Sequence, residues 1–195
     1  MIAQAIALVL NALFALFILT ALLRFWMQAL RAPVRNPIAQ FSIALTDFAV
    51  RPLRRVVPGL FRLDFASLVV ALLLEFALQV LLLALLRGSP LEHPGTLPIL
   101  LFYSLVQLVR LSIYIFMGAI IIQAVMSWVS AHHPVAPFFD ALTRPILKPL
   151  RRVVPLIGGV DISPLFAFIF FQLLLMVPVT LLEQESLRML GRALL

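Results

Sequence analysis

Residues 37–64 of this 195-residue chain recur at 134–161, at a constant offset of 97 and without a gap. Pro37, Ala39, Phe41, Ala44, Leu45 and Thr46 match Pro134, Ala136, Phe138, Ala141, Leu142 and Thr143. The run from Pro52 through Arg54, Arg55, Val56 and Val57 to Pro58 matches the run from Pro149 through Arg151, Arg152, Val153 and Val154 to Pro155, and Asp64 matches Asp161. A repeat fixes the architecture before any single element is assigned. Each copy is basic, punctuated by proline and flanked by long apolar runs. The chain therefore reads as one unit used twice, in residues 1–92 and 93–195.

The flanking runs set the fold class. Hydrophobic residues make up 64% of the chain and charged ones 12%, about half the charge of an ordinary soluble domain. Apolar runs of about 20 residues read as transmembrane helices. Four are expected, over 3–23, 65–86, 111–129 and 164–182. The fold class is an all-α membrane protein in which each half is span, basic amphipathic loop, span. The apolar stretch 97–109 either extends the third span or lies at the interface, because Arg110 interrupts it. The first span lacks a positive leading segment and reads as a retained helix rather than a cleaved signal. Absent cysteines exclude disulfides, thiolate metal sites and cysteine nucleophiles.

An even number of spans per unit inserts both copies in the same orientation, as a parallel repeat. Arg24, Arg31, Arg35, Arg51, Arg54, Arg55 and Arg62 lie between spans one and two, and Arg144, Lys148, Arg151 and Arg152 between spans three and four. The positive-inside rule then places both basic loops in the cytoplasm and both termini outside. Trp26 and Trp128 are expected at the cytoplasmic ends of spans one and three, where aromatic belts form.

Within the loops, Phe138, Leu142, Ile146, Leu150 and Val153 recur at helical spacing opposite Asp140, Arg144, Lys148 and Arg151. Phe41, Leu45, Phe48, Leu53 and Val56 do the same opposite Asp47, Arg51 and Arg54. That pattern is a basic amphipathic helix lying on a membrane surface, its cations toward anionic headgroups. Pro145 and Pro149 are expected to kink or break it, so a re-entrant hairpin is the other option. Gly158 and Gly159 mark a turn. Ser163 then reads as an N-cap and Pro164 as the first helical residue. Asp64 and Asp161 are placed to accept from Arg55 and Arg152, or from the opposite copy. The loop is either a topology-setting element or a site for phospholipid headgroups or a partner protein.

Glu75 lies inside span two, with Gln79 one turn on, and Gln172 is its counterpart in span four. Such groups face a bundle interior, as an ion path or as helix–helix glue. Arg24 and Arg110 are candidate partners for Glu75. His132 and His133 are adjacent and cannot serve one metal from one helix face. His93 stands alone. No nucleophile–base set, carboxylate pair or phosphate-cradling glycine loop occurs. The expectation is no enzyme, no cofactor and no metal. The net charge of +7 belongs to membrane-facing loops rather than to a nucleic-acid surface.

The second copy, from Leu142-Thr143-Arg144-Pro145 through Lys148-Pro149-Leu150-Arg151-Arg152 and Pro155 to Gly158-Gly159-Val160-Asp161-Ile162-Ser163-Pro164, resembles the signature of the YggT (YlmG) family. The first copy departs from it, with Asp47-Phe48 for Arg144-Pro145 and Phe61-Arg62 for Gly158-Gly159. The resemblance implies a bacterial inner-membrane protein with two repeats. It also implies either an assembly role for a membrane complex or a part in osmotic-stress tolerance and potassium homeostasis. It supplies no catalytic residues. Two functions stay open. One is a scaffold binding anionic lipid and a partner membrane protein through Arg51, Arg54, Arg55, Arg144, Lys148, Arg151 and Arg152. The other is a homo-oligomeric, channel-like protein using Glu75, Gln79 and Gln172.

Overall fold

The computed structural model describes residues 1–55, 63–88, 93, 95–129, 133–154 and 161–194. Among them the chain is helical throughout. Helix α1 (Ile2–Ala29), the shorter α2 (Pro37–Leu53) and α3 (Phe65–Arg87) form the first half. Helix α4 (Thr96–Val129), α5 (Ala136–Val153) and α6 (Ser163–Leu174) form the second, and a π-helical turn (Leu175–Val179) joins α6 to α7 (Thr180–Ala193). Four helical stretches are long and apolar enough to cross a bilayer: Ile2–Ala29, Phe65–Leu86, Thr96–Ser127 and Ser163–Ala193.

Helix α4 is the centre of the bundle. Half of its most apolar stretch is buried, against 28%, 28% and 22% for the other three. It touches α1, α3, α5, α6 and α7. The apolar stretch 97–109 therefore extends the third span instead of lying at the interface. Its 34 residues rise about 51 Å. Arg110 does not interrupt the helix because it has a partner: its guanidinium donates to both carboxylate oxygens of Glu183, at 2.8 and 2.6 Å. Gln107 joins the same carboxylate at 3.1 Å. Counted along the helix, that pair lies about 28 Å from the Val129 end, close to the thickness of a hydrocarbon core.

The fourth apolar stretch also runs on, to Ala193. Pro178 is absorbed in the π-helical turn, where the Thr180 hydroxyl donates to the Leu175 carbonyl at 2.8 Å. Gly88 and Gly95, with φ of 111° and 93°, flank the connection between the two halves. These values suit glycine, which has no Cβ to clash there.

Three apolar clusters hold the bundle. One joins α1 to α3 through Ile18, Ala21, Leu22, Ala66, Val70 and Ala71. A second joins α4 to α6 through Phe116, Ile120, Ala167 and Phe171, with Leu147 of α5. The third brings Met27, Ala39, Ala119, Phe138, Phe139 and Leu142 together. It places both short helices at the same end of the bundle, as a parallel repeat requires. Trp26 is not a belt residue. Its indole donates to Ser112 Oγ at 3.1 Å and meets Phe116 edge-on at 4.8 Å, so it sits in the seam between halves. The side chain of Trp128 lies outside the described residues.

The prolines do not break α5. Ala136–Val153 is one helix through Pro145 and Pro149, as Pro37–Leu53 is through Pro52. In α2 the buried face is Ala39, Ser42, Thr46 and Val50, while Phe41 and Phe48 point outward. Phe41 and Phe48 of the predicted apolar stripe thus lie off the protein-facing side. Small residues face the protein because they allow close approach, and the large rings are left for lipid. In α5, Phe138 and Leu142 of the predicted stripe are buried but Val153 is exposed, and Phe139, Thr143 and Leu147 complete the buried face.

Candidate lipid- and partner-binding end of the bundle

The nominated cations gather where α2 and α5 meet the ends of the spans, and carboxylates order them. In the first half Arg24 is the pivot. It sits near the end of α1, its side chain 6% exposed. One amine donates to Thr46 Oγ1 at 3.0 Å and to Asp47 Oδ1 at 2.8 Å, and its Nε lies 3.6 Å from Asp64. Asp47 also takes Arg51 at 2.7 Å, and Asp64 takes Arg54 and the Ser67 hydroxyl. A charge this buried is stable only when paired and hydrogen-bonded. Arg24 meets both conditions. It therefore pairs with Asp47 and Asp64 and not with Glu75, the partner suggested by its sequence neighbourhood.

Asp64 is itself buried. Burial pushes its carboxyl up, but hydrogen bonds from Arg54 and Ser67 and the nearby Arg24 charge outweigh it and hold the group below the usual carboxylate range. Arg54 is held above its ordinary value, chiefly by the same hydrogen bond.

Among the described residues the second half has no buried arginine. Gln123 takes the place of Arg24 on the repeated threonine: the Thr143 hydroxyl donates to Gln123 Oε1, and Gln123 Nε2 donates to Asp140 at 3.3 Å. Arg144 pairs with Asp140 at 2.6 Å and Arg151 with Asp161 at 2.7 Å. Asp161 also accepts from the Ser163 backbone at 2.9 Å. Partial burial pushes the Asp161 carboxyl up, and the Ser163 and Arg151 hydrogen bonds bring it below its ordinary value.

Both aspartates thus choose the first arginine of the Arg-Arg pair, not the expected Arg55 and Arg152. Helical geometry explains the choice. Arg54 and Arg151 lie four residues beyond the buried Val50 and Leu147, on the protein-facing side. Arg55 and Arg152 are turned about 100° away. Ser163 is not the cap but the first residue of α6, with Pro164 second. The side chain that accepts its backbone N–H is Asp161.

Of the seven nominated cations, Arg51, Arg54, Arg144 and Arg151 have carboxylate partners. Arg55, Lys148 and Arg152 are exposed and have none among the described residues. Pro149 is exposed on α5. Pro155, Gly158, Gly159 and His132 lie outside the described residues, and His133 is exposed. The intramembrane set is not brought together. Gln79 donates to Glu75 at 2.7 Å inside the first half, whereas Gln172 is exposed on α6. Among the described residues no three His, Cys, Asp or Glu side chains gather where they could hold a metal ion.

The sequence reading missed Thr46, Thr143, Gln123 and Glu183 as structural partners. The two threonines carried a signal, being identical in both copies. Gln123 and Glu183 carried none.

Comparison with known proteins adds a family. The profile of the CCB3/YggT family matches residues 3–85 and 102–182. An uncharacterised protein of Pseudomonas aeruginosa is 36% identical over 168 residues, 85% of this chain and 84% of that one. A Vibrio alginolyticus protein described only by its position 3′ of proC is 32% identical over 170 residues, 87% and 90% of the two chains. The uncharacterised protein YggT of Escherichia coli K12 is 34% identical over 157 residues, 80% and 79%. No solved structure matches.

Proposed function

We propose that this chain, which belongs to the CCB3/YggT family, is a non-enzymatic scaffold of the bacterial inner membrane. Its basic helices α2 and α5 hold the anionic cytoplasmic leaflet and present a docking face to a partner membrane complex. The supporting observation is that the cations stand at one end of the bundle on two helices, with Arg55, Lys148 and Arg152 exposed and unpaired among the described residues. Each cation near an anionic surface contributes about 1 kcal/mol. The carboxylates fix where the remaining arginines stand. With that end in the cytoplasm, both termini lie outside.

The test is a photo-crosslinking comparison in native membranes, with the probe on exposed faces of α5. The Arg151→Ala/Arg152→Ala double variant is expected to insert normally and to lose its lipid and protein adducts. Unchanged adducts in that variant would refute the scaffold.

A second reading, an oligomeric channel or flux modulator used in osmotic stress and potassium homeostasis, draws on the buried Glu75 and the bond it accepts from Gln79. It predicts potassium or proton flux in reconstituted liposomes under an osmotic gradient, lost in Glu75→Ala. Flux equal to that of empty liposomes removes it.

A further inference from the structure

The offset of 97 places Ile121 where the first half has Arg24, and Phe168 where it has Ala71. Ala71 is fully buried against α1. A phenyl ring at the same place holds two helices apart. In the first half Arg24 lines a smaller cavity of about 600 Å³ whose walls carry Asp47, Arg51 and Arg54, whereas the second half has a mainly apolar cavity of about 950 Å³ between α4, α5 and α6. Its walls include Ile120, Ile121, Leu147, Leu165 and Phe168, and Arg151 and Asp161 stand at its polar end. Gln123 and Ser127 also line it, but each is satisfied elsewhere, Gln123 by Thr143 and Asp140 and Ser127 by the Ala124 carbonyl. The wall is therefore apolar apart from one ion pair.

Arg151 belongs to a second, shallower cavity as well, shared with Asp140, Arg144, Lys148 and Arg152. An apolar slot and a basic rim thus meet at one guanidinium. Around it stand four cations, Arg144, Lys148, Arg151 and Arg152, against two carboxylates, Asp140 and Asp161, a local balance of +2. Arg151 gives Asp161 only its Nε in the 2.7 Å bond, and a guanidinium has further donors in a fork that suits a phosphate.

We infer that this cavity holds an acyl chain of one anionic phospholipid, with the phosphate on Arg151, Arg152 and Lys148. The inference rests on the reading of α5 as a lipid-binding helix and adds a built site in the second half. Size favours a lipid over a partner's helix. The volume is at the upper end of the range for small-molecule sites, about 300–1,000 Å³. A spanning helix about 10 Å across and 30 Å long needs roughly 2,000 Å³. Charge favours an anionic headgroup over a zwitterionic one.

The experiment is native mass spectrometry of the full chain, titrated with phosphatidylglycerol or phosphatidylcholine of identical chains, and with phosphatidylglycerol of short chains. Wild type is expected to retain one long-chain phosphatidylglycerol in preference to phosphatidylcholine, by about fivefold for each net charge engaged. Ile121→Trp and, separately, Val125→Trp fill the cavity from positions that are exposed, so the fold tolerates them. Each is expected to abolish the chain-length dependence and reduce retention to the level of the short-chain lipid.

If the chain-length dependence survives both tryptophans while the anionic preference falls in Lys148→Ala/Arg152→Ala, the cavity is refuted and the surface reading stands. No preference for phosphatidylglycerol in wild type refutes both. Equal retention of the two long-chain lipids, or a stoichiometric protein crosslinked to position 121 in place of lipid, also overturns the inference.

Discussion

The two halves of this chain share a template and differ in what closes it. In the first half α1 and α3 meet through Ala21, Ala66 and Ala71, and the buried Arg24 ties both to α2 through Asp47, Asp64 and Thr46. In the second, Gly118, Ser163 and Phe168 occupy the places of those alanines, and Ile121 occupies that of Arg24. An amide, Gln123, keeps the threonine contact, and a cavity remains. Duplication supplied two frames. A single buried charge with two carboxylates made one of them a clamp with a small cavity rich in charged residues beside it, and its absence left the other with a larger, mainly apolar one. The first half therefore reads as the rigid partner and the second as the one with room for an apolar chain.

That contrast fails most visibly if Arg24 is dispensable. Arg24→Ala removes the buried cation that Asp47 and Asp64 share and leaves them only Arg51 and Arg54 nearer the surface; breaking a buried pair costs about 3–5 kcal/mol. Thermal unfolding in detergent is expected to show that loss, while Ile121→Ala, at an exposed site, leaves the midpoint nearly unchanged. Equal effects would mean that the halves are not differently closed.

A smaller contrast separates the aspartates. Asp64→Asn is expected to cost about 1–3 kcal/mol, because a buried, charge-assisted network loses its acceptor. Asp161→Asn should cost under about 1 kcal/mol, as for an exposed pair. The pH dependence follows the same groups. Both carboxyls are held below their ordinary value of 3.8, so the folded state binds fewer protons there than the unfolded one. Their stabilisation is fully present above about pH 4 and is lost as pH falls through the lowered values. Acid unfolding should be blunted in Asp64→Asn more than in Asp161→Asn.

The smallest effect concerns the end of α1. Arg31 has φ of 54°, and the bonds Arg31 N–Gln28 O and Ala32 N–Met27 O, at 3.2 and 2.8 Å, complete a Schellman end. Glycine avoids the Cβ strain of that backbone, so Arg31→Gly is expected to stabilise the first half by about 0.5–1 kcal/mol.

Much of this arrangement is legible in the sequence. The offset of 97, the run lengths and the arginine placement give four spans and two basic helices, and the structure places the helices accordingly. What sequence did not disclose is which face of each helix turns inward. In α2 the face packed on the bundle is Ala39, Ser42, Thr46 and Val50, which the stripe of Phe41, Leu45 and Phe48 does not announce, because small residues make the close contacts and large apolar side chains are left outside. Glu75, Arg24 and Arg110 look like potential partners because each is a charge near an apolar run. Their actual partners, Gln79, Asp47 with Asp64, and Glu183, come from other turns or helices and follow no sequence spacing shared by the three. The copied segment also hid a difference. Arg24 and Ile121 lie outside it, so the residues that decide whether a half is closed fall where the two copies are least alike.

The length of α4 has a consequence for the surrounding lipid. At about 51 Å, it exceeds a hydrocarbon core of about 30 Å, and Leu97, Leu101, Phe102, Leu105 and Val109, all exposed, continue its apolar surface beyond Arg110. Upright, the mismatch is largest at that corner, because α1 with 28 residues and α3 with 23 rise only about 42 and 34 Å. The bilayer must thicken around that corner, or α4 and α7 must lean until the excess is submerged. Either response costs a fraction of a kcal/mol per ångström, roughly, as a function of local thickness. The protein is thus coupled to membrane thickness more strongly on one flank than on the other.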